Sequence, residues 1–260
     1  MRIQENQKTI YYSDELNDEF SEAKIIPRKI DENYKYSKNP VWDFCSVLCQ
    51  NVLSMPIKLL HSKIVFNHKF IGKEKLKEHK KDGYFIYANH TQAFEDTFIP
   101  SLANYPKRNF LIVNPENISM KGSGWLVELL GAIPVPGNIK ATKNFLQQIE
   151  KRIKQKNSIT IYPEEHIWPF YTGIRNFKEV SFKYPVKLNV PIYTITNTYQ
   201  QYGKKQNKLR IISYIDGPFI PDQTISEKEA VKKLRDQAYN QMKERSLNSN
   251  IEYIKYLPQK

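Results

Sequence analysis

Short apolar runs alternate with segments of helical periodicity from residue 84 onward, and this alternation limits the fold of the 260-residue chain more than any other feature. The apolar runs, typical of buried strands, lie at residues 84–88, 110–113, 158–162, 191–196 and 209–215. The helical segments lie at residues 124–130, 141–156 and 226–245. Ser226 and Glu229 have the spacing of a capping box at the start of the last of these helices. Strands that alternate with helices predict an α/β fold with a mixed, largely parallel sheet flanked by helices.

The chain carries a strong positive charge, with 40 Lys and Arg against 27 Asp and Glu and a formal net charge of +13. Such a surface attracts polyanions, namely nucleic acids, anionic lipid headgroups or phosphorylated small molecules. The sequence shows no finger spacing, aromatic RNA-binding pattern or helix-turn-helix signature. We therefore expect lipid or small-molecule phosphates as partners, and no nucleic acid.

The N-terminal quarter differs from the rest of the chain and divides into two parts. Residues 1–39 are polar and predict an irregular arm with at most one short helix. Residues 40–66 form what we call the N-terminal helical segment, which is apolar, has Trp42 near its start and contains Pro56, expected to kink it or end its first half. The pattern fits an interfacial membrane helix as well as an ordinary helix pair packed on a core. The remaining residues, 67–260, form the predicted α/β domain.

Two further patterns concern the membrane. The N-terminus is polar and predicts no signal peptide, and no window of about 18 uninterrupted apolar residues predicts a transmembrane helix. From these patterns we expect a protein in the cytoplasm or on the cytoplasmic face of a membrane.

A histidine stands directly after the first buried run, followed within two helical turns by two carboxylates, Glu95 and Asp96. In α/β sheets, catalytic groups gather where strands end. A carboxylate that binds one ring nitrogen of His90 would leave the other nitrogen free to accept a proton. The alternative is purely structural, with Asn89 as the N-cap of the helix that follows.

Three other segments are unremarkable when each is taken alone. Residues 131–135 are a rigid extended stretch between two helices, Tyr162-Pro163-Glu164 ends a strand, and residues 190–192 open another with Val-Pro-Ile.

Together with Asn89-His90 and the acids after it, these segments resemble the lysophospholipid acyltransferase superfamily, including the bacterial acylglycerol-phosphate acyltransferases. That family has Asn-His with an acid, then a Gly-x-Ile/Val segment, then Phe-Pro-Glu-Gly-Thr-Arg, then Val-Pro-Ile. The resemblance spans about residues 80–200. It implies an α/β domain preceded by an amphipathic helical motif that docks on the bilayer, which favours the interfacial interpretation of the N-terminal helical segment.

The resemblance also implies a reaction. A fatty acyl group would move from acyl-CoA or acyl carrier protein to the hydroxyl of a lysophospholipid such as lysophosphatidic acid, with His90 as general base. Glu95 or Asp96 would orient the base, and Asn89 and Glu164 would belong to the substrate site. The acyl thioester is a co-substrate, so no cofactor or metal is expected. The protein would be a peripheral enzyme of phospholipid biosynthesis on the cytoplasmic face of the membrane.

The sequence departs from the family at two points. The family's acid follows its histidine by five positions, which is Glu95 here, whereas the aspartate is Asp96. The Gly-Thr-Arg that helps hold the acceptor phosphate in the family is replaced by Glu165-His166-Ile167. Candidate substitutes for the missing cation are Arg175, Lys178 and Lys140. These departures are also what a non-catalytic membrane lipid-binding homologue would show.

Overall fold

A seven-stranded sheet forms the centre of the structure, a computed structural model that describes residues 1–3, 7–20 and 25–259. The strands in chain order are β1 (Lys8–Tyr12), β2 (Lys69–Ile71), β3 (Tyr84–Ala88), β4 (Asn109–Val113), β5 (Ala132–Pro134), β6 (Ser158–Ile161), β7 (Ile192–Tyr202), β8 (Lys208–Phe219) and β9 (Ile254–Pro258). The α-helices are α1 (Pro40–Leu48), α2 (Ser54–Phe66), α3 (Glu95–Asn104), α4 (Gly124–Leu129), α5 (Ile139–Lys154), α6 (Lys183–Leu188) and α7 (Glu227–Ser246).

The order of strands in the large sheet is β2-β8-β7-β3-β6-β4-β5, and β7 with β8 is its one antiparallel pair among the described residues. Helices cover both faces, so β3 and β6 are buried along their whole length, which explains their uninterrupted apolar sequences. The predicted mixed, largely parallel α/β fold is confirmed. The predicted capping box is also present, and α7 begins directly after Ser226.

Alternate residues of β3 serve two separate cores. Phe85 and Tyr87 pack in a cluster with residues of α5 and α7, whereas Tyr84 and Ile86 pack in a second cluster with Phe66 of α2 and residues of α3. The helices α2 and α3 therefore lie on the face opposite α5 and α7. Because β3 and β6 are parallel neighbours, the loops that follow them emerge at the same edge of the sheet.

The N-terminal helical segment runs as one helix from residue 40 to residue 66 and contains a π-helical turn at Cys49–Leu53. It does not end at Pro56, which lies in the first turn of α2, directly after the π turn. The helix packs on the domain through few apolar side chains, and its outer face carries exposed ones, among them Phe44 at 69% exposure. In the part of the chain that the structure describes, no helix is long and apolar enough to cross a membrane.

The predicted polar arm is partly ordered by the other end of the chain. β1 pairs in parallel with β9, a small sheet that the sequence pattern did not predict. The described part of the arm contains turns but no helix, and its residues 4–6 and 21–24 lie outside the described residues.

Candidate active site

His90 lies two residues beyond the end of β3, at the carboxyl edge of the sheet. Its Nδ1 is 2.8 Å from Oδ2 of Asp96, and the His90 side chain is 18% exposed whereas that of Asp96 is 1% exposed. A histidine that donates from Nδ1 to a carboxylate presents Nε2 as a proton acceptor. The pair therefore has the arrangement of a general base with its orienting acid.

The carboxylate of Asp96 is held by the chain segment that it closes. Besides His90, its Oδ2 accepts the backbone N–H groups of Thr91 and Gln92, both at 2.8 Å, and its Oδ1 accepts the side-chain amide of Asn197 at 3.3 Å. Helix α3 begins only at Glu95, so residues 91–94 form a turn that folds around this carboxylate. The turn is why an acid six positions after the histidine reaches the ring.

Glu95, the other carboxylate, faces a different part of the protein. Its two oxygens are 2.6 Å from Nδ1 of His61 and 2.5 Å from the hydroxyl of Ser62, both on α2. Burial raises the pKa of the Glu95 carboxyl, and the bonds from Ser62 and His61 partly oppose this. Of the two carboxylates that the sequence left open as the partner of His90, Asp96 contacts the ring and Glu95 contacts His61 and Ser62 instead.

Asn89 is buried and binds the neighbouring strand. Its side-chain Oδ1 accepts the backbone N–H of Asn197 at 2.8 Å and its Nδ2 donates to the carbonyl of the same residue at 3.0 Å. The alternative role of Asn89 as an N-cap is wrong, because α3 starts six residues later and has no side-chain cap. Asn89 instead attaches the loop that contains His90 to strand β7, through the backbone of Asn197.

Tyr162, which was not among the residues predicted from the sequence, forms one wall of the histidine site. Its ring stacks on that of His90 with centroids 4.4 Å apart, and its hydroxyl donates to the backbone carbonyl of Asp96. Burial raises the pKa of the Tyr162 hydroxyl well above its usual value, so it remains a neutral donor. The aromatic position before Pro-Glu was the only signal in the sequence for this contact.

Glu164 connects the two loops of the site. One carboxylate oxygen accepts the backbone N–H of His90 at 3.0 Å and the other accepts that of Arg175 at 2.9 Å. Burial raises the pKa of Glu164, while the nearby guanidinium of Arg175, 3.6 Å away, lowers it. Glu164 therefore positions the histidine loop.

The three candidate cations lie in different environments. The guanidinium of Arg175, 1% exposed, lies over the ring of Trp168 and donates to the carbonyls of His166 and Glu15. Lys178 is exposed on the surface. Lys140 is exposed in the first turn of α5. Hydrogen bonds thus link Glu164 to both His90 and Arg175, and Asn89 precedes His90 in the same loop, whereas the two lysines are exposed on the surface.

The comparisons with known proteins bear on this site. The family model described as Acyltransferase matches residues 67–198, a stretch that contains His90, Asp96, Glu164 and Arg175. The crystal structure of the 1-acyl-sn-glycerophosphate (LPA) acyltransferase PlsC from Thermotoga maritima is similar with a TM-score of 0.51 and 16% sequence identity, over 81% of this chain and 96% of that one. At this identity the likeness shows a shared fold. A search among curated proteins gave no significant match. Because the family model matches half of the chain and includes the His90 site, the protein belongs to the acyltransferase family.

Proposed function

We propose that the protein transfers a fatty acyl group from acyl-CoA or acyl carrier protein to the hydroxyl of a lysophospholipid such as lysophosphatidic acid. The observation that carries the proposal is the buried contact between His90 Nδ1 and Asp96 Oδ2, which leaves Nε2 of a partly exposed imidazole to face a substrate hydroxyl. The family match supports acyl transfer, and the fold shared with a 1-acyl-sn-glycerophosphate acyltransferase of Thermotoga maritima supports this acceptor class.

In the proposed reaction, His90 removes the proton of the acceptor hydroxyl while that oxygen attacks the carbonyl carbon of the thioester. The tetrahedral intermediate collapses, the carbon–sulfur bond breaks, and the leaving thiolate takes the proton from His90 to become a thiol. Asp96 stabilises the imidazolium that exists between these two proton transfers. A positioned base of this kind contributes roughly 10²- to 10⁴-fold in rate.

The proposed roles of the candidate cations follow from their exposure. Arg175 is buried against Trp168 and Glu164, so we assign it to positioning the loop after β6. Lys140 and Lys178 are exposed and are proposed to attract the phosphates of substrates. Substitution of either lysine by alanine is expected to raise KM with little change in kcat, because a phosphate far from the reacting carbon is bound equally in the ground and transition states.

The same proposal places the protein at the cytoplasmic face of a membrane as a peripheral protein. The N-terminal helical segment supports this, because its exposed side chains are mainly Val, Leu, Ile and Phe. Trp125, 55% exposed, is a further exposed aromatic side chain on α4, and α4 contacts α1 where Ser46 donates to the carbonyl of Leu129. The net charge of +13 fits attraction to anionic lipid, worth about 1 kcal/mol per basic residue near the surface.

The direct test is release of free thiol from acyl-CoA in the presence of a panel of lysophospholipids. We expect release that depends on one or a few acceptors, and a loss of roughly 10²- to 10⁴-fold in His90→Ala. His79→Ala is the matched control, because His79 precedes β3 at the opposite edge of the sheet and its Nδ1 binds Asp82. The control variant should retain wild-type turnover.

Two outcomes would contradict the proposal in different ways. Equal turnover in His90→Ala and the wild-type protein would remove the histidine from the mechanism. Silence with every acceptor, for both acyl-CoA and acyl carrier protein, would instead favour a non-catalytic membrane lipid-binding homologue.

A further inference from the structure

A line of buried polar side chains continues behind Asp96, on the side away from His90. The side-chain amide of Asn197 lies 3.3 Å from Asp96 Oδ1, the hydroxyl of Ser213 lies 2.5 Å from Asn197 Oδ1, and Nε2 of His68 lies 2.8 Å from that hydroxyl. We propose that Asn197, Ser213 and His68, here called the relay, are positioning residues that set the orientation and basicity of the His90–Asp96 pair. This inference rests on the proposed function.

Each hydrogen bond of the relay has one possible direction. An ionised Asp96 only accepts, so Asn197 turns its N–H toward it and its carbonyl oxygen toward Ser213. Ser213 must then donate to that oxygen, and its own oxygen is left to accept from Nε2–H of His68. With the Asp96 carboxylate as the acceptor at one end, the direction of each hydrogen bond in the relay, and so the position of each proton, is fixed.

His68 has the environment that this role requires. Burial, with a further contribution from the charge of Lys73, lowers the pKa of His68 to about 4. At neutral pH the ring is therefore uncharged and carries a single proton, which the relay holds on Nε2. A neutral, fixed donor orders the Ser213 hydroxyl without placing a second positive charge near the pair.

The pairing of β7 with β8 builds the centre of the relay. Asn197 and Ser213 are directly opposite each other in the antiparallel register, so their side chains lie on the same face. The backbone of Asn197 is also bound at both its N–H and its carbonyl by the amide of Asn89. Asn197 is thus fixed to the loop that carries His90 as well as to Asp96.

The relay supplies a hydrogen-bond donor to the buried carboxylate of Asp96. Asp96 is 1% exposed, and His90 is its one ion-pair partner among the described residues. Three donors already share Oδ2, so Asn197 is the donor that stabilises charge on Oδ1. Without this donor, the buried carboxylate of Asp96 would stabilise the imidazolium of His90 more strongly. His90 would then keep its second proton to higher pH.

Other ionisable groups also face the pair and the relay. They are Glu95 on α3, Tyr162 and Glu164 after β6, Tyr199 on β7 and Lys73 after β2. A substitution at Ser213 alters none of them, so a change in its pH profile would report on the relay.

The test compares two buried hydroxyls in the same strand pair. Ser213→Ala breaks the relay, whereas Thr198→Ala removes a hydroxyl that donates to the carbonyl of Ile212 at 2.9 Å and lies outside the relay. Ser213→Thr keeps the hydroxyl and serves as the rescue variant. For each protein, thiol release is measured across pH together with the thermal midpoint.

We expect Ser213→Ala to lower kcat roughly fivefold with KM unchanged, since its hydroxyl donates to the neutral amide oxygen of Asn197 and one such hydrogen bond is worth about that factor. The acid limb of its kcat/KM profile should move to higher pH, and Ser213→Thr should restore both values. Thr198→Ala should lower the thermal midpoint but leave kcat and the acid limb unchanged. Equal kinetic effects in the two alanine variants, or no effect in Ser213→Ala, would overturn the proposal.

A second measurement does not depend on turnover and so separates failure of the relay from failure of the proposed function. In protein labelled with ¹⁵N-histidine, NMR should show His68 as a neutral Nε2–H tautomer through the neutral pH range. The Nδ1 proton signal of His90 should shift in Ser213→Ala and remain in place in Thr198→Ala. An Nδ1–H tautomer of His68, or an unchanged His90 signal in Ser213→Ala, would contradict the relay even in a protein that proved inactive.

Discussion

The N-terminal helical segment and α7 are the two longest helical stretches of the molecule, and they distribute their side chains in opposite ways. α7 follows the usual rule for a surface helix, with apolar residues inside and charged residues outside. Its buried residues are Ala230, Val231, Leu234, Ala238, Met242 and Ser246. The buried residues of the N-terminal helical segment include four polar ones, Ser46, Gln50, Lys58 and Ser62. Its large exposed hydrophobic residues are Val41, Phe44, Val47, Leu48, Val52, Leu53, Ile57, Leu59, Leu60 and Ile64.

The difference shows that the two helices are attached to the domain by different forces. α7 is held by apolar burial, whereas the N-terminal helical segment is held largely by hydrogen bonds, such as those from Ser46 to Leu129 and from Ser62 to Glu95. An apolar face this large is rare on a protein surrounded only by water. We proposed above that the N-terminal helical segment contacts lipid, and the following predictions test its contrast with α7.

The largest expected effect is on membrane binding. Ile57→Glu with Leu60→Glu should weaken binding to phosphatidylglycerol-containing vesicles at least about a hundredfold, because each side chain loses roughly 1.5–3 kcal/mol of apolar transfer. Gln237→Glu with Asn240→Glu adds the same charge at the same spacing on the exposed face of α7 and should bind nearly as the wild type does. Vesicle flotation measures both, and equal losses would mean that net charge, not the apolar face, governs binding.

The second effect concerns folding in water. Leu234→Ala in α7 should lower the free energy of unfolding by about 3 kcal/mol, because Leu234 is buried in the main core. Ile57→Ala should change it by less than about 0.5 kcal/mol, since Ile57 is already exposed. Urea denaturation without lipid measures both values. A large loss in Ile57→Ala would show that this face is covered by protein in solution.

The third effect comes from a lysine on the inner face of the N-terminal helical segment. Burial lowers the pKa of Lys58 from 10.5 to about 8. Below pH 8 the folded protein therefore buries a charged ammonium group, and folding loses the hydration that this group has in the unfolded chain. Lys58→Met should therefore raise the free energy of unfolding by roughly 2 kcal/mol at pH 7.

The pH dependence of this gain has a definite sign. Between about pH 8 and pH 10.5 the unfolded chain binds a proton at Lys58 that the folded protein does not, so wild-type stability rises with pH and the gain shrinks. Lys63→Met, on the exposed side of the same helix, is the control and should change the free energy of unfolding by less than about 0.5 kcal/mol. Thermal melts at several pH values measure the stability gain of Lys58→Met over the wild-type protein. A gain that increased with pH would contradict the burial of a charged Lys58.

The smallest effect compares the first turns of the two helices. Ser226 caps α7 and Asn39 caps α1, each accepting a backbone N–H with its side chain. Ser226→Ala should cost about 1 kcal/mol in global unfolding. Asn39→Ala should cost less in water, because α1 has little apolar packing to lose when it frays. Urea titration followed by circular dichroism measures both costs, and the reverse order would contradict the contrast between the two helices.

The strands of the sheet were predictable because buried apolar runs leave a clear pattern. The run at 84–88 coincides with β3, and the start of α7 followed from the spacing of Ser226 and Glu229. β2 and β5 were missed, since each has three residues and no periodicity to detect.

The site was only partly predictable. Sequence spacing located His90 but could not choose between Glu95 and Asp96, because the choice depends on where α3 begins and how the turn before it folds. The burial of Arg175 and the stacking of Tyr162 depend on contacts between distant loops. The relay joins three segments of the chain through strand register, which a single sequence does not display.

Glu95 and Asp96 are neighbours in the chain, but Glu95 binds helix α2 whereas Asp96 binds His90. A truncation that removes α2 would therefore change the surroundings of the active-site aspartate. Removing residues 1–66 to improve solubility for crystallisation would also remove His61 and Ser62, the two groups that bind the carboxyl oxygens of Glu95. The Glu95 carboxyl would then be open to water, one residue from the aspartate that orients His90. A version designed for solubility should therefore keep the helix and replace its outer apolar residues with polar ones.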